Sequence, residues 1–204
     1  MPQLRPAPRK RPVQERARTT VAALIEAAAR ILEQRGREGF STNAVAELAG
    51  VSVGSLYQYF PSKESLLGAL IVRETDLLIA DARAALDEET GQAALTTLIR
   101  ACVAHQLRRP TLARLLDFEE AALPDDPETS RVADEFQQLG LALFSRPDLA
   151  SQSSLLVTTQ DVMAIIKGMI DAAGVKGETA ENDLIARVER GVRGYLGLAW
   201  QNDC

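Results

Sequence analysis

Residues 42–63 read TNAVAELAGVSVGSLYQYFPSK, and this stretch predicts two short helices joined by a tight turn. Ala46 offers a small side chain where two helices can cross closely. Gly50, four residues later, can adopt the positive φ of the turn, and Leu56 is an apolar residue that anchors the second helix inward. This spacing is typical of a helix-turn-helix, so DNA binding is the first function that the sequence indicates.

The rest of the chain also predicts helices, because apolar residues recur at i, i+3, i+4 and i+7 and no stretch alternates with period two. Ser41 or Thr42 is expected to cap the first helix of the motif, and Ser52 the second. The fold class is therefore all-α, with about nine helices. They are expected at 18–35, 42–49, 53–60, 63–88, 91–107, 111–118, 128–144, 153–173 and 179–200.

Charge is distributed unevenly along the 204 residues. Residues 1–63 carry ten Lys/Arg against five Asp/Glu, whereas the remainder carries 13 basic and 23 acidic residues. A basic first part on an acidic body suits a protein of which only the first part meets phosphate. Residues 1–15, with four prolines among basic side chains, are expected to form a flexible basic arm.

Composition also narrows the class of protein. Charges interrupt every apolar stretch before the roughly 20 residues that a membrane span needs, so no membrane association is expected. The N-terminus lacks the apolar segment of a secretory signal. Cys102 and Cys204 are far apart in sequence, which favours reduced thiols in a cytoplasmic protein. One histidine and the absence of a Gly-rich phosphate loop predict neither a metal nor a cofactor.

The motif residues resemble the TetR family of bacterial one-component transcriptional regulators. The resemblance is carried by 40–42 (FST), 45–52 (VAELAGVS), 54–57 (GSLY) and 59–64 (YFPSKE), and with the first helix it covers roughly residues 16–70. It implies a three-helix DNA-binding domain over 16–62, with the helix-turn-helix motif at about 41–60. A helical regulatory and dimerisation domain is then expected over 63–204.

The expected DNA contacts lie around the second helix of the motif. Val53 can touch a thymine methyl group, Ser55 can bond to a base or a phosphate, and the tyrosine hydroxyls can reach flanking phosphates. Lys63 opposes the macrodipole of the helix that it begins, and a nearby phosphate would reverse that cost. Together with the resemblance, these arguments give the DNA-binding set Thr42, Asn43, Ser52, Val53, Gly54, Ser55, Tyr57, Tyr59 and Lys63.

Two apolar stripes near the end of the chain are interpreted as a homodimer interface. A dimer binds a palindromic operator whose half-sites lie about 34–36 Å, or a multiple of this, apart. The stripe residues named for this role are Leu155, Val162, Ile166, Met169, Leu184, Val188, Val192 and Tyr195. Spacing alone leaves open that these stripes fill the core of one subunit, and the resemblance favours the dimer.

The resemblance also implies a small-molecule effector bound among the central helices of the body. The candidates are polar or aromatic residues in an apolar helical setting: His105, Arg114, Asp117, Phe118 and Glu120. A surface position for His105, before Arg108, remains the alternative. The expected mechanism is repression: the effector moves the helix at 63–88, changes the separation of the two recognition helices and lowers operator affinity.

Two alternatives belong to other classes of protein. Residues 50–54 match G-x-S-x-G, the nucleophile elbow of α/β-hydrolases, with Ser52 as the nucleophile and Asp76 and His105 following in triad order. That elbow needs a preceding strand, whereas AVAELA favours a helix, so an enzyme is not expected. A ligand-independent architectural DNA-binding protein is the other alternative, against which the acidic body argues.

Overall fold

The structure is a computed structural model that describes residues 12–120, 127–149 and 154–198. Within these ranges the chain forms nine α-helices, two short 3₁₀ helices and no strand, which confirms the all-α prediction. The α-helices are α1 (Pro12–Gly39), α2 (Thr42–Leu48), α3 (Val53–Tyr59), α4 (Lys63–Ala82), α5 (Gly91–Arg108), α6 (Pro110–Glu120), α7 (Pro127–Phe144), α8 (Leu155–Lys176) and α9 (Glu181–Leu196). The 3₁₀ helices are Arg83–Asp87 and Pro147–Leu149.

The chain divides into two compact units, and the division falls inside α4. The first unit ends at Leu70 and the second begins at Ile71. From the sequence, the boundary was expected at the start of this helix instead. Helix α4 is continuous across this division, so its residues up to Leu70 belong to the first unit and those from Ile71 belong to the second.

The first unit is built on the apolar face of α1. Leu24, Ala28 and Leu32 on this face are buried, with the four-residue spacing of one helical face. Helix α1 packs against α2, and α2 packs against α3. The buried residues Val45 and Ala46 form the inner face of α2.

Helix α1 begins earlier than the sequence predicted. It starts at Pro12 rather than at residue 18, so residues 12–15 of the expected arm are helical. Proline is well suited to a first helical position, where its missing N–H has no partner to lose. Residues 1–11 of the expected arm lie outside the described residues. At the other end, Gly36 adopts φ 62° and kinks the chain at the predicted end of the helix.

The second unit packs around α5. This helix contacts α7, α8 and α9 as well as the first 3₁₀ helix. Its buried side chains, among them Leu95, Leu98 and Ile99, form one apolar cluster with residues of α7, α8 and α9. The core of the second unit therefore lies inside a single chain.

The ends of α4 and α8 are among the helix ends in this unit that differ from the prediction. Helix α4 ends at Ala82 and continues as a 3₁₀ helix, whereas one α-helix was expected up to residue 88. Helix α8 runs through Gly174 to Lys176. It ends at Gly177, whose φ of 68° allows the Glu178 N–H to bond to the Ala173 carbonyl oxygen.

Candidate nucleic-acid interface and ligand cavity

Helices α2 and α3 are each capped by a serine, as the sequence predicted. The Ser41 hydroxyl accepts a hydrogen bond from the Ala44 N–H, and the Ser52 hydroxyl accepts one from the Ser55 N–H. Gly50 has φ 69° in the turn between the helices. The Val51 N–H bonds to the Ala46 carbonyl oxygen at 3.0 Å and closes the turn. The two helices thus form a helix-turn-helix with defined ends.

Helix α3 has one buried side and one exposed side. Leu56 is fully buried and Phe60, at the end of the helix, is nearly so. Gly54, Gln58 and Tyr59 are exposed on the other side. The inward anchor and the outward polar side that the sequence predicted are therefore both present.

Hydroxyl groups connect the exposed residues of the motif. The Tyr57 and Thr42 hydroxyls lie 3.2 Å apart and join α3 to the start of α2. The Ser52 and Ser55 hydroxyls lie 2.8 Å apart. Tyr57 remains 48% exposed, so its hydroxyl is held in place at the surface rather than buried. Sequence spacing does not reveal these two contacts, because they depend on the rotamers of the side chains.

The remaining predicted DNA-binding residues lie near this surface. Asn43 is exposed in the first turn of α2, and Val53 is half-buried at the start of α3. Lys63 is half-buried at the start of α4, with its Nζ 5.1 Å from the centre of the Phe40 ring. This cation–π contact, worth about 0.5–1 kcal/mol, offsets the macrodipole cost that the sequence predicted for Lys63.

The second unit contains a cavity of about 330 Å³. Its walls come from α4, α5, α6, α7 and α8 and are mainly apolar. The apolar lining includes Ile71, Leu78, Leu112, Leu116, Phe136, Met163, Ile166 and Ile170. Its volume is at the lower end of the range of roughly 300–1,000 Å³ that is typical of small-molecule sites.

Two of the five predicted ligand-binding residues line this cavity. They are His105 and Asp117, whereas Arg114 and Phe118 are not part of the lining. Phe118 is 58% exposed, because it lies on the outer side of α6. The side chain of Glu120 lies outside the described part of the chain.

The cavity wall contains further polar residues that the sequence did not indicate. They are Glu74, Thr75, Gln106, Arg109, Lys167 and Asp171. The i,i+4 spacing of a lysine and an aspartate on α8 was the available signal for one pair, since such residues share a helix face.

Lys167 is held between two carboxylates in the wall. Its Nζ lies 2.6 Å from Asp117 Oδ1 and 3.0 Å from Asp171 Oδ2. Burial acts to lower the pKa of Lys167, but the bonds to the two aspartates leave it above its usual value. Burial raises the pKa of Asp171. The lysine stays charged, and its charge is already neutralised by its neighbours.

His105 is neutral in this setting. Burial lowers its pKa, and the positive charge of Arg108 lowers it further. Arg108 Nη2 lies 3.0 Å from His105 Nδ1. Because a guanidinium has only donors, Nδ1 is the acceptor and the ring proton lies on Nε2.

Most of the predicted interface residues belong to the core of a single chain. This corrects their assignment, because a side chain without exposed surface in one chain has none left to bury in a dimer. The buried residues are Val162, Ile166, Leu184, Val188 and Val192. Met169 is half-buried, whereas Leu155 and Tyr195 are each 40% exposed.

The local structure contradicts the nucleophile elbow. The segment before Ser52 is the helix α2 and a turn, not a strand, and the Ser52 hydroxyl caps α3. Asp76 pairs with Arg131. Among the described residues, no group of three or more His, Cys, Asp or Glu side chains is placed to bind a metal. None of the described helices has the length and apolar character of a membrane span.

A capped helix-turn-helix followed by a helical unit with its own cavity defines a class of bacterial DNA-binding proteins. Residues 24–70 match the family model of the "Bacterial regulatory proteins, tetR family". Through this domain, the chain is similar to the tetR family of bacterial regulatory proteins, as the motif residues indicated.

Two relatives show how far the similarity extends. The chain is 28% identical over 132 residues to the nucleoid occlusion factor SlmA of Glaesserella parasuis, covering 65% of this chain and 64% of that protein. The chain thus spans slightly less than two thirds of this relative. It is 25% identical over 186 residues to the HTH-type transcriptional regulator YobS of Bacillus subtilis, covering 90% of this chain and 94% of that protein.

The fold is also that of known regulators. The transcriptional regulator FadR of Bacillus subtilis, solved in complex with stearoyl-CoA, has a TM-score of 0.71 at 16% identity. The superposition covers 86% of this chain and 96% of that chain. At this identity the likeness establishes the shared fold.

Proposed function

We propose that the chain is a ligand-responsive transcriptional repressor, which binds a palindromic operator as a homodimer and is released by a small-molecule effector. The observation that carries this proposal is the exposed side of α3, which Leu56 anchors and Ser52 caps. A capped helix with small and hydroxyl side chains at its start is suited to the major groove. The net basic character of residues 1–63 adds the electrostatic attraction that duplex DNA requires.

The start of α3 is proposed to face the base edges. Val53 offers methyl groups to thymine, and Gly54 lets the backbone approach the duplex closely, since it is exposed. The Ser55 hydroxyl, 2.8 Å from the Ser52 hydroxyl, is held in a fixed direction. Because the direction of this hydroxyl is already fixed, less side-chain conformational entropy is lost when it bonds to a base than if it rotated freely.

The surrounding residues are proposed to hold phosphates. The Tyr57 and Thr42 hydroxyls share one hydrogen bond, so one of them keeps its proton to donate to a phosphate. The Lys63 ammonium group lies over the Phe40 ring, and it is proposed to bond to a phosphate as well. Asn43, Ser52 and Tyr59 complete the proposed set.

The dimer is proposed to form on the outward side of α8 and α9, opposite the buried stripes. The exposed small and apolar residues of this side include Val157, Ala164, Gly168, Ala172, Val175, Gly194 and Tyr195. A Cβ added at Gly168 or Gly194 meets no atom of the same chain within 4 Å. A glycine in an exposed helix lowers helix stability by roughly 1 kcal/mol relative to alanine. A second subunit that approaches the backbone closely at these positions would explain why glycine is present.

The cavity is proposed to couple the effector to DNA through α4. Ile71, Glu74, Thr75 and Leu78 of this helix line the cavity, and the same helix begins at Lys63 beside the DNA-binding motif. Exposed ion pairs hold its outer face: Asp76 to Arg131 and Asp81 to Arg108. Each such pair contributes at most about 1 kcal/mol, so an effector with a coupling of roughly 1–3 kcal/mol is able to shift the helix.

The test begins with genomic fragments selected by the purified full chain. Fluorescence anisotropy then measures the affinity for the recovered operator, with and without a metabolite extract. The proposal predicts a palindromic operator and a weaker affinity in the extract. An affinity that no extract or candidate effector changes would remove the ligand-responsive part of the proposal.

A second candidate function has one supporting observation. The similarity to nucleoid occlusion factors favours a DNA-binding protein that acts along the chromosome rather than at one promoter. The same selection separates the two functions. Many sites spread over the genome, without a promoter among them, would favour the second candidate.

A further inference from the structure

Gln58 points away from the protein on the outermost line of α3. It lies two residues after the buried anchor Leu56, which is a rotation of about 200° around an α-helix. Its side chain is exposed, as this position requires. Gly54 lies two residues before Leu56 and four before Gln58, so it faces the same way one turn earlier. The outermost line of the helix therefore consists of Gly54 and Gln58.

The surface next to Gln58 is open because Gly54 has no side chain. Within the described chain, a Cβ added at Gly54 would make one loose contact, at 3.8 Å with the Ser52 hydroxyl oxygen. Long side chains on a helix lean towards its N-terminus and cover the preceding turn. The Gln58 amide is therefore expected to reach over Gly54, at the part of α3 that is proposed to face the base edges.

Two neighbouring polar side chains of α3 already have partners within the motif. The Ser55 hydroxyl lies 2.8 Å from that of Ser52, and the Tyr57 hydroxyl lies 3.2 Å from that of Thr42. The Gln58 amide, in contrast, is not bonded to any other residue in the described part of the chain. Both its N–H donors and its carbonyl oxygen are thus available to a molecule outside the chain.

The amide group selects among the four bases by its pattern of donor and acceptor. In the major groove, adenine presents an acceptor, N7, beside a donor, the N6 amino group. Guanine presents two acceptors, cytosine a donor, and thymine an acceptor beside a methyl group. An amide has one donor and one acceptor side by side, so adenine is the base that it can hold with two hydrogen bonds.

We propose that Gln58 reads one adenine in each half-site of the operator, through hydrogen bonds to its N7 and N6. The inference rests on the proposed function, since it requires that α3 enters the major groove. It adds a base-reading residue to the DNA-binding set, which does not contain Gln58.

The first experiment selects random duplexes with the full chain and with Gln58→Ala side by side. The wild type should recover an adenine at one fixed position of each half-site. The variant should lose the preference at this position and keep the other preferred bases and the half-site spacing. A variant that keeps every preference would overturn the proposal, and so would a lost preference for a G·C pair instead of an A·T pair.

The second experiment measures affinity by fluorescence anisotropy for two duplexes that differ at this position in one half-site. The wild type should bind the A·T duplex roughly five- to 150-fold more tightly than the G·C duplex, as a good bidentate contact provides. In Gln58→Ala this ratio should fall to within about twofold. An equal loss of affinity for both duplexes, as expected for a contact to phosphate, would overturn the proposal.

Gln58→Arg tests the geometry of the contact, because a guanidinium matches the two acceptors of guanine. Its preference should move from the A·T duplex to the G·C duplex. The ratio compares two duplexes with one protein, so the general attraction of the added charge cancels. An arginine variant that still prefers the A·T duplex would contradict the proposed contact. Gln138→Ala, at an exposed position of α7, is the matched control and should keep the wild-type ratio.

The selection also distinguishes this inference from the proposed function. If Gln58→Ala keeps the full preference of a wild type that recovers a common palindrome, the role of Gln58 is wrong and the DNA-reading function stands. If the wild type itself recovers no common sequence, the proposed function fails, and base reading by Gln58 fails with it. If Gln58 reads the adenine but no effector changes operator affinity, the inference stands and the ligand-responsive part of the function fails.

Discussion

Lys63 shows how one side chain can serve the fold and the proposed function together. Its Nζ lies 5.1 Å from the Phe40 ring centre, at the start of a helix whose dipole opposes a cation. Within the protein these effects are of similar size and nearly cancel. A bond from Lys63 to a DNA phosphate would therefore give lysine a net favourable interaction at this position.

Replacing Lys63 tests that assignment. In Lys63→Ala, operator affinity should fall for all sequences alike, and the slope of log affinity against log salt should decrease by about one. Lys176→Ala, at the end of α8, is the matched control and should leave the slope unchanged. An unaltered slope in Lys63→Ala would assign this lysine to Phe40 alone.

His105 predicts how stability depends on pH. Its folded pKa is lowered by burial and by Arg108, so the unfolded state takes up the proton first. The free energy of unfolding should therefore fall as pH decreases below about 6.5, until the folded state is protonated as well. In His105→Gln this part of the dependence should disappear. Urea unfolding from pH 7 to 5 measures it, and parallel curves for the two proteins would contradict the prediction.

At the scale of elements, the serine at the start of α3 has a structural role that is independent of DNA. The Ser52 hydroxyl accepts from the Ser55 N–H at 3.0 Å. Ser52→Ala should lower the free energy of unfolding by about 1 kcal/mol, whereas Ser52→Asp should retain most of it. Chemical denaturation measures both. Equal losses in the two variants would show that the cap contributes nothing.

The helix-turn-helix was predictable because its constraints are local. A small residue, a turn glycine, two serine caps and an inward leucine lie within 41–56, and each has its effect within one or two turns of helix. Helix ends were less predictable. Gly174 resembles a terminator in sequence, but it lies inside α8, where it makes room for Gln106 of another helix.

The cavity and the interface were less predictable because they depend on how helices meet. Asp117 and Lys167 are fifty residues apart in the chain, and no spacing rule connects them. Apolar stripes on α8 and α9 look alike whether they face the core or a partner. The outward residues, such as Ala164 and Gly168, are small, so a pattern of large apolar side chains does not include them.

At the scale of the whole molecule, the outward side of α8 and α9 predicts the oligomeric state. Gly194→Arg introduces a long cation at a position with open space in the single chain, so the subunit should still fold. The proposed dimer should dissociate, and operator affinity should fall at least tenfold because half of the contacts are lost.

Ala104→Arg, on the exposed side of α5, is the control and should remain dimeric. Light scattering with size-exclusion chromatography measures the mass of each protein. If the Gly194→Arg protein still has the mass of a dimer, the interface lies elsewhere.

The most direct test of the central claim, that two copies of α3 read duplex DNA, is a selection from random duplexes with the full chain. Two copies of α3 in successive major grooves should select a palindrome whose half-site centres are about one helical turn, or a multiple, apart. Ser55→Ala should change the preferred base at one position in each half-site and leave the spacing intact. Recovery of no common sequence, or of the same preference in both proteins, would contradict the account.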